Sequence, residues 1–394
     1  MDDAPPAAIA ASDNGGLTPQ RKRGLLIVGS VVVVGVLVAG LAFGGCGTGE
    51  KLSAGAISTT TVVPSTTAPA LTTTTAPPRG PVAPLTGLRL PEGANASRPA
   101  LAVKIDNIDS TGCEVARPQF GIDHADLVYE ILVEGITRFM AVFHSDIPET
   151  VGPVRSARSS DVDLIAMLGN PLFAWSGNND NVAADLSKVR GRYIDVGHSS
   201  GAGNSFYRDK DRCAPHNLLV NPVDLYAFAA DKRPGVPTPL FTYRAANASL
   251  PATARPTGGV KLTTGQEVDY AWNAERKGWD RTQRGSLHTA VDGTTETPIS
   301  PANVVVLEIT YANSSTPGSP LAVTLGKGKA HVYTEGKVID GTWARSDNGD
   351  PWTLTDDAGA PIALTPGRTW VALAQTGKVE ELDAVAAAKL LKKR

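Results

Sequence analysis

The chain has 394 residues, 37 Lys+Arg against 39 Asp+Glu and a net charge of −2, so it lacks the basic excess on which nucleic-acid binding rests. Its 3 cysteines are too few for a disulfide scaffold and show no paired C-x-x-C spacing of a zinc site. Once the non-globular N-terminal stretch is set aside, about 310 residues remain to fold, enough for two ordinary cores.

Residues 1–20, rich in Ala, Pro, Asp and Gly, read as a disordered cytoplasmic tail. Arg21-Lys22-Arg23 then opens residues 21–45, in which Gly24–Gly45 runs 22 residues without a charge. At 1.5 Å per residue the run spans about 33 Å, enough to cross a hydrocarbon core. The basic triplet on its N-terminal side keeps the tail inside and exports the chain beyond the run. Cys46 comes directly after Phe43-Gly44-Gly45, a box similar to those at which lipoproteins are cut and lipidated. Two anchors stay open, a retained single-pass segment over residues 24–45 or a lipidated Cys46, and both tether the protein outside the cell membrane. Residues 46–84 form a linker whose stretch Ser58–Pro78 holds nine Thr and four Pro in 21 residues, too polar and too Pro-broken to pack. Fully extended, it would reach up to ~120 Å.

The fold class expected is α+β, with a mixed α/β domain over residues 85–233, then a mostly β domain over 259–375 and a C-terminal helix over 380–394. Leu101, Val103 and Ile105 alternate with Ala102, Lys104 and Asp106, the period of a half-buried strand. ADLVYEILVEG (Ala125–Gly135) and ITRFMAVFH (Ile136–His144) suggest a hairpin turning at Gly135, with Glu130 and Glu134 on the face of Arg138. Helices are predicted over Ser159–Leu168, Asp180–Val189 and Pro222–Ala230, and a short strand over Leu172–Trp175. Beyond residue 258, VDYAWN (Val268–Asn273), NVVVLEITY (Asn303–Tyr311), Ala322–Arg345 and RTWVALA (Arg368–Ala374) alternate between Gly, Pro and Asn-Gly signals, as short strands do.

Polar residues concentrate in the loops of the first domain, where function usually sits. The candidate ligand-binding set is Lys104, Asp106, Asn107, Arg117, Gln119, Arg138, Arg155, Ser156, Arg158, Trp175, Ser176, Arg208 and Asn217. Arg155 and Arg158 precede a predicted helix start, and two guanidiniums there suit a carboxylate or phosphate; pairing with Asp161, Asp163, Glu130 or Glu134 would account for them equally well. Catalytic candidates are Glu130 and Asp161 with His216, since imidazole alone is poised near neutral pH; a histidine fixing its loop is the plainer alternative. A tryptophan such as Trp175 more often packs a core than stacks a sugar. No nucleophile elbow, phosphate-binding loop or H-E-x-x-H motif is present, and neither a metal nor a cofactor is expected. Cys113 and Cys213 lie in two of these loops, facing an oxidising compartment, so they either bridge each other across about 100 residues or remain small core residues.

LAVKIDN (Leu101–Asn107), ARPQ (Ala116–Gln119), ADLVYE (Ala125–Glu130), EGITRFMAVFHS (Glu134–Ser145), VGPVRSAR (Val151–Arg158), YRDKDR (Tyr207–Arg212) and APHNL (Ala214–Leu218) together resemble the YerB-like family of bacterial lipoproteins. The likeness extends through the second domain by VDYAW, NVVVLE, GKGKAHVYTEGKVIDGTW and PGRTWVAL. It implies an exported, envelope-anchored protein with two domains of unknown function, and brings no reaction with it. Two functions therefore compete. One is a binding module for an anionic wall polymer or an envelope protein through Arg117, Arg138, Arg155 and Arg158, and the other is an envelope hydrolase or transferase.

Overall fold

The computed structural model describes residues 80–392 apart from 111 and 246. The apolar segment 24–45, Cys46 and the Thr/Pro stretch lie outside the described residues, among which no helix is long and apolar enough to cross a membrane.

Strand β1 (Leu101–Ile105) lies inside a mixed sheet, antiparallel to β3 (Ile136–Phe143) and parallel to β4 (Leu172–Ala174). Strand β2 (Leu127–Val133) and β3 form the expected hairpin. Its two turn residues, Glu134 and Gly135, have φ of 31° and 82°, the left-handed pair that matches the twist of a two-residue hairpin. Helix α1 (Asp161–Ala166) is shorter than the periodicity suggests. Helix α2 (Asp180–Lys188) starts where Asn179 accepts the Val182 amide, and α3 (Pro222–Phe228) where Asn221 caps Val223 and Asp224, with Pro222 in the first turn. Between α2 and α3, the short strand β5 (Ile194–Asp195) closes one edge of the sheet against β4.

The C-terminal half builds a second, antiparallel sheet from β6 (Gly259–Leu262), β7 (Val268–Asn273) and β8 (Gly278–Gln283). It then returns to the first sheet with β9 (Asn303–Ile309), the hairpin β10 (Gly326–Thr334) and β11 (Lys337–Arg345), β12 (Thr353–Asp356) and β13 (Thr369–Gln375). In the first sheet the strands run β12-β11-β10-β9-β13-β2-β3-β1-β4-β5, with Arg255–Pro256 pairing beside β11. The seam between the sequence halves is the parallel pair β13 and β2, which sets Trp370 beside Val128 and Ala372 beside Glu130. The sequence regions 85–233 and 259–375 thus share one sheet. The outcome is a strand-rich mixed α/β architecture with few helices.

Two apolar layers flank that sheet. One face packs Tyr129, Ile131 and Met140 under Leu164, Ile165 and Leu186 of α1 and α2 and beside Trp343 and Trp352. The other packs Val103, Val128 and Phe139 against Tyr270, Trp279 and Val260 of the second sheet. Two expectations change. β1 is buried on both faces rather than one, because its second face lies under α1. The predicted helix 380–394 begins with a strand, β14 (Val379–Leu382), which pairs with β6, and only then becomes α4 (Ala384–Lys392). Asp383 marks the boundary, its Oδ1 accepting the Ala386 amide at 2.7 Å.

Candidate functional site

The site grows from the C-terminal end of β1. The segment after Gly152 runs beside β1, with Asp106 donating its amide to Pro153 and Arg155 donating its amide to Lys104. On its outer side Val154 donates to Leu218, which carries the APHNL loop to the same place. Three elements distant in sequence therefore converge on Asp106. Its Oδ1 accepts the amides of Asn107 and Ile108 at 2.9 and 3.2 Å. Its Oδ2 lies 2.6 Å from Nδ1 of His216 and 3.1 Å from Nε of Arg155. With only 1% of its side chain exposed, this carboxylate is held by the His216 ring and by an ion-pair contact with Arg155, whose Nε makes no hydrogen bond.

Strand alternation puts Lys104, Asp106 and Arg138 on the α1 face of the sheet. Lys104 donates to Asp161 Oδ1 at 2.6 Å with both groups fully buried, and burial lowers the Lys104 ammonium even against that partner. Asp161 turns its other oxygen onto the Arg158 amide at 2.7 Å, so the start of α1 is occupied by the helix's own first residue. Arg158 grips Glu134 through Nε and an Nη at 2.8 and 2.9 Å. Arg138 lacks such an arrangement. It is 5% exposed, its nearest carboxylate contact is Glu134 at 3.9 Å, and its Nε and Nη1 are buried without a hydrogen-bond partner. Burial, then Arg158, pulls this guanidinium down to about 10, with Arg155 acting in the same direction and Asp106 and Glu134 opposing. It remains charged at neutral pH.

The opposite face of the same strands holds a second polar network, to which the C-terminal half contributes. Glu130 accepts from Thr137 at 2.8 Å, from Arg281 at 2.7 Å and from Tyr270 at 3.1 Å. Arg281 also donates to His288 Nδ1 at 2.7 Å, and His288 Nε2 donates to Gln119 Oε1 at 2.6 Å. Gln119 Nε2 closes the chain on the Asp106 carbonyl at 2.9 Å. Burial, Arg281 and Arg117 push His288 far down, which keeps it neutral and fits its acceptor role at Nδ1. Asn107 and Gln266 both donate to Thr137, at 2.9 and 2.8 Å, and leave their carbonyl oxygens buried without a partner.

Several sequence expectations are redrawn by this geometry. Glu130 pairs across the hairpin with Phe139 while Arg138 pairs with Ile131, so Glu130 faces away from Arg138; Glu134, at the turn, does reach it. Neither Glu130 nor Asp161 partners His216, because the first lies on the other face and the second is used by Lys104 and Arg158. The partner is Asp106. Arg117 stands apart from the other three arginines, ion-paired with Asp109 and close to Arg281 and Arg284. Trp175 is core, stacked on Phe173 with ring centroids 6.3 Å apart. Arg208 and Asn217 bind each other at 2.7 Å, and Asn217 also holds the Asp209 and Arg212 carbonyls, so they shape the loop. Ser156 and Ser176 lie beside Arg155, the Ser176 amide donating to its carbonyl at 2.9 Å, and a Cβ on Gly177, at φ 86°, would stand 3.1 Å from Ser156 Oγ. The sulfurs of Cys113 and Cys213 are joined, with Cα atoms 5.6 Å apart, and Arg212 donates to the Ala116 and Pro118 carbonyls at 3.1 and 2.7 Å. Both contacts tie the ARPQ loop to the loop that carries His216.

The residues that sequence reasoning missed are Arg281, His288, Tyr270 and Gln266. The signal is faint: Gly278–Gln283 carries Asp280 and Arg281 in six residues without apolar alternation, although β8 is buried throughout. Among the described residues no group of three or more His, Cys, Asp and Glu is arranged to hold a metal ion.

Comparison with known proteins fits this assembly. Residues 85–235 match the family "Protein of unknown function (DUF3048) N-terminal domain", and residues 259–371 match its C-terminal domain. "Putative lipoprotein YerB" of Bacillus subtilis (strain 168) is 30% identical over 314 residues, 78% of this chain and 88% of that protein. The crystal structure of the YerB protein from Bacillus subtilis superposes with a TM-score of 0.65 at 26% identity, over 76% of this chain and 98% of the other.

Proposed function

This chain belongs to the DUF3048 family of proteins of unknown function, and on that premise we propose that it is an envelope protein, tethered outside the cell membrane, which binds an anionic group of a wall polymer or protein partner at Arg138, Arg155 and Arg158. The observation that carries the reading is Arg138. A buried guanidinium with two unpartnered N–H groups is a costly arrangement in a folded protein. It becomes favourable once a carboxylate or phosphate oxygen fills the gap, because charge-assisted bonds to a guanidinium edge are among the stronger ones. Around it Lys104, Arg138, Arg155 and Arg158 face Asp106, Glu134 and Asp161, four cations against three carboxylates, so one positive charge is left over for a ligand.

The tether rests on Arg21-Lys22-Arg23 before the uncharged run Gly24–Gly45, on Cys46 after it, and on a relative named as a lipoprotein. Residues 24–45 retained in the bilayer, or a lipid on Cys46, would serve equally. Protease added to wall-stripped cells should digest the folded part, and its protection would remove this half of the proposal. For binding, the full chain in detergent should retain poly(glycerol phosphate) or poly-glutamate oligomers in a salt-dependent way. Arg138→Met should weaken that retention at least about tenfold, the loss expected for a buried charge-assisted contact. Equal retention by wild type and variant would defeat it.

A further inference from the structure

We propose that Asp106 and His216 form a proton-transfer dyad which cleaves a phosphodiester held by Arg138, Arg155 and Arg158; the inference rests on the anion-binding reading above and goes beyond it by naming a reaction.

The geometry is that of an orienting acid and a base. Asp106 has both oxygens filled, one by two backbone amides and one by His216 Nδ1 at 2.6 Å and Arg155. The carboxylate therefore fixes the imidazole with its proton on Nδ1 and its lone pair on Nε2. No hydrogen bond to Nε2 is found among the described residues, whereas Nδ1 is taken by Asp106. The ring is also fixed through its main chain, the His216 amide donating to Cys213 at 2.9 Å and Cys213 being held by the disulfide to Cys113.

The ligand class comes from adjacency. Arg155 and His216 meet on the same Asp106 oxygen, so the charge that guanidiniums bind and the atom that a base-activated water attacks must belong to one small group. A phosphodiester has both, since its oxygens carry the charge and its phosphorus is the electrophile, whereas a free carboxylate offers no electrophile. In the step proposed, water gives a proton to His216 Nε2 as its oxygen bonds to phosphorus. The ester P–O bond opposite the attacking oxygen breaks, the departing alkoxide takes a proton from solvent water, Nε2 returns its own proton to the hydroxide so formed, and a phosphomonoester and an alcohol result. The guanidiniums stabilise the charge gathering on the equatorial oxygens. His216 is the catalytic residue and Asp106 the positioning one.

The full chain in detergent, incubated with poly(glycerol phosphate) oligomers, should release phosphomonoester detectable by phosphorus NMR. His216→Gly should lower the rate at least about a hundredfold, the usual contribution of an acid–base group, and added imidazole should restore part of it, which a structural histidine would not allow. Asp106→Asn should lower kcat, as expected when the tautomer is lost, and added imidazole should leave that loss in place because the His216 ring is still present. Retention of the oligomer by His216→Gly, read separately, keeps folding and binding out of the result. Binding by wild type without turnover, or an unchanged rate in His216→Gly, overturns the dyad alone. Failure of wild type to bind the oligomer overturns the dyad's substrate, and if poly-glutamate is not retained either, the anion-binding reading goes with it.

Discussion

Arg281 donates to Glu130 at 2.7 Å across 151 residues of sequence, with neither side chain more than 5% exposed. The pair joins the two sheets. Burial alone would pull the Arg281 guanidinium down, but Glu130 and Tyr270 outweigh it and hold it above its ordinary value. Three aromatic rings, of Phe139, Tyr270 and Trp370, stand 5.3, 5.8 and 5.1 Å from the guanidinium carbon, so the charge sits in a largely apolar box.

Removing one partner of such a pair strands the other. Glu130→Ala should cost about 3–5 kcal/mol in denaturant unfolding, whereas the double change Glu130→Leu with Arg281→Met should recover much of that loss. Equal destabilisation by the single and double variants would show that the pair is not coupled.

Cys113 and Cys213 close a loop spanning a sequence separation of 100 residues. In the chain-entropy model this is worth up to ~4–5 kcal/mol, less any native strain. Cys113→Ser with Cys213→Ser should therefore lower the thermal midpoint by several degrees. Wild type treated with reductant should fall to the same midpoint. Two thiols labelled in the unreduced protein by intact-mass analysis would contradict the bridge.

Much of the fold was legible because it rests on local periodicity. The hairpin turn at Glu134-Gly135, the alternation in β9, β10 and β11, and the Asn-capped α2 and α3 each declare themselves within a dozen residues. The site was legible by residue type and not by pairing. Asp106, Arg155 and His216 stand out as polar residues in loops, but nothing local selects Asp106 over Asp161 as the histidine's partner. That choice is made by the side of β1 on which 152–155 and 216–218 dock. Which face Glu130 takes is fixed by a one-residue difference in register, and Arg281 arrives from a strand that is polar by composition yet buried by packing.

His124 links the N-terminal half to the Thr289–Asp292 hairpin through Asp146 at 2.9 Å and Asp292 at 3.2 Å. The hydrogen bond to Asp146 raises the imidazole against the opposing effect of burial, and the same bond lowers Asp146. A raised histidine contributes stability that is complete below its unfolded value and disappears as pH rises through the folded one. The lowered aspartate contributes above its own unfolded range and is lost as acid protonates it. The pair therefore helps most at about pH 5–6. His124→Gln should lower the thermal midpoint there and converge with wild type as pH rises through the raised titration of the folded imidazole. A gap that stays constant across that range would assign the loss to packing instead.

Arg138 and Arg158 should respond to mutation in opposite ways, although both flank the same gap. Arg158 is matched, gripping Glu134 at the surface with 13% of its side chain exposed against 42% for its partner. Losing such a rim pair costs about 0–1 kcal/mol. Arg138 is unmatched. A cation held down to about 10 in the fold opposes folding at every pH below that value, by on the order of a few kcal/mol at roughly 1.4 kcal/mol per unit. Arg138→Met keeps the length of the chain and removes the charge, so the unliganded protein should hold its thermal midpoint or gain a few degrees. On the binding proposal, the same substitution should reduce the rise in midpoint expected of wild type with poly(glycerol phosphate), because ligand stabilisation scales with occupancy. If Arg138→Met melts well below wild type while the ligand-induced rise survives, the guanidinium is structural and the anion site lies elsewhere.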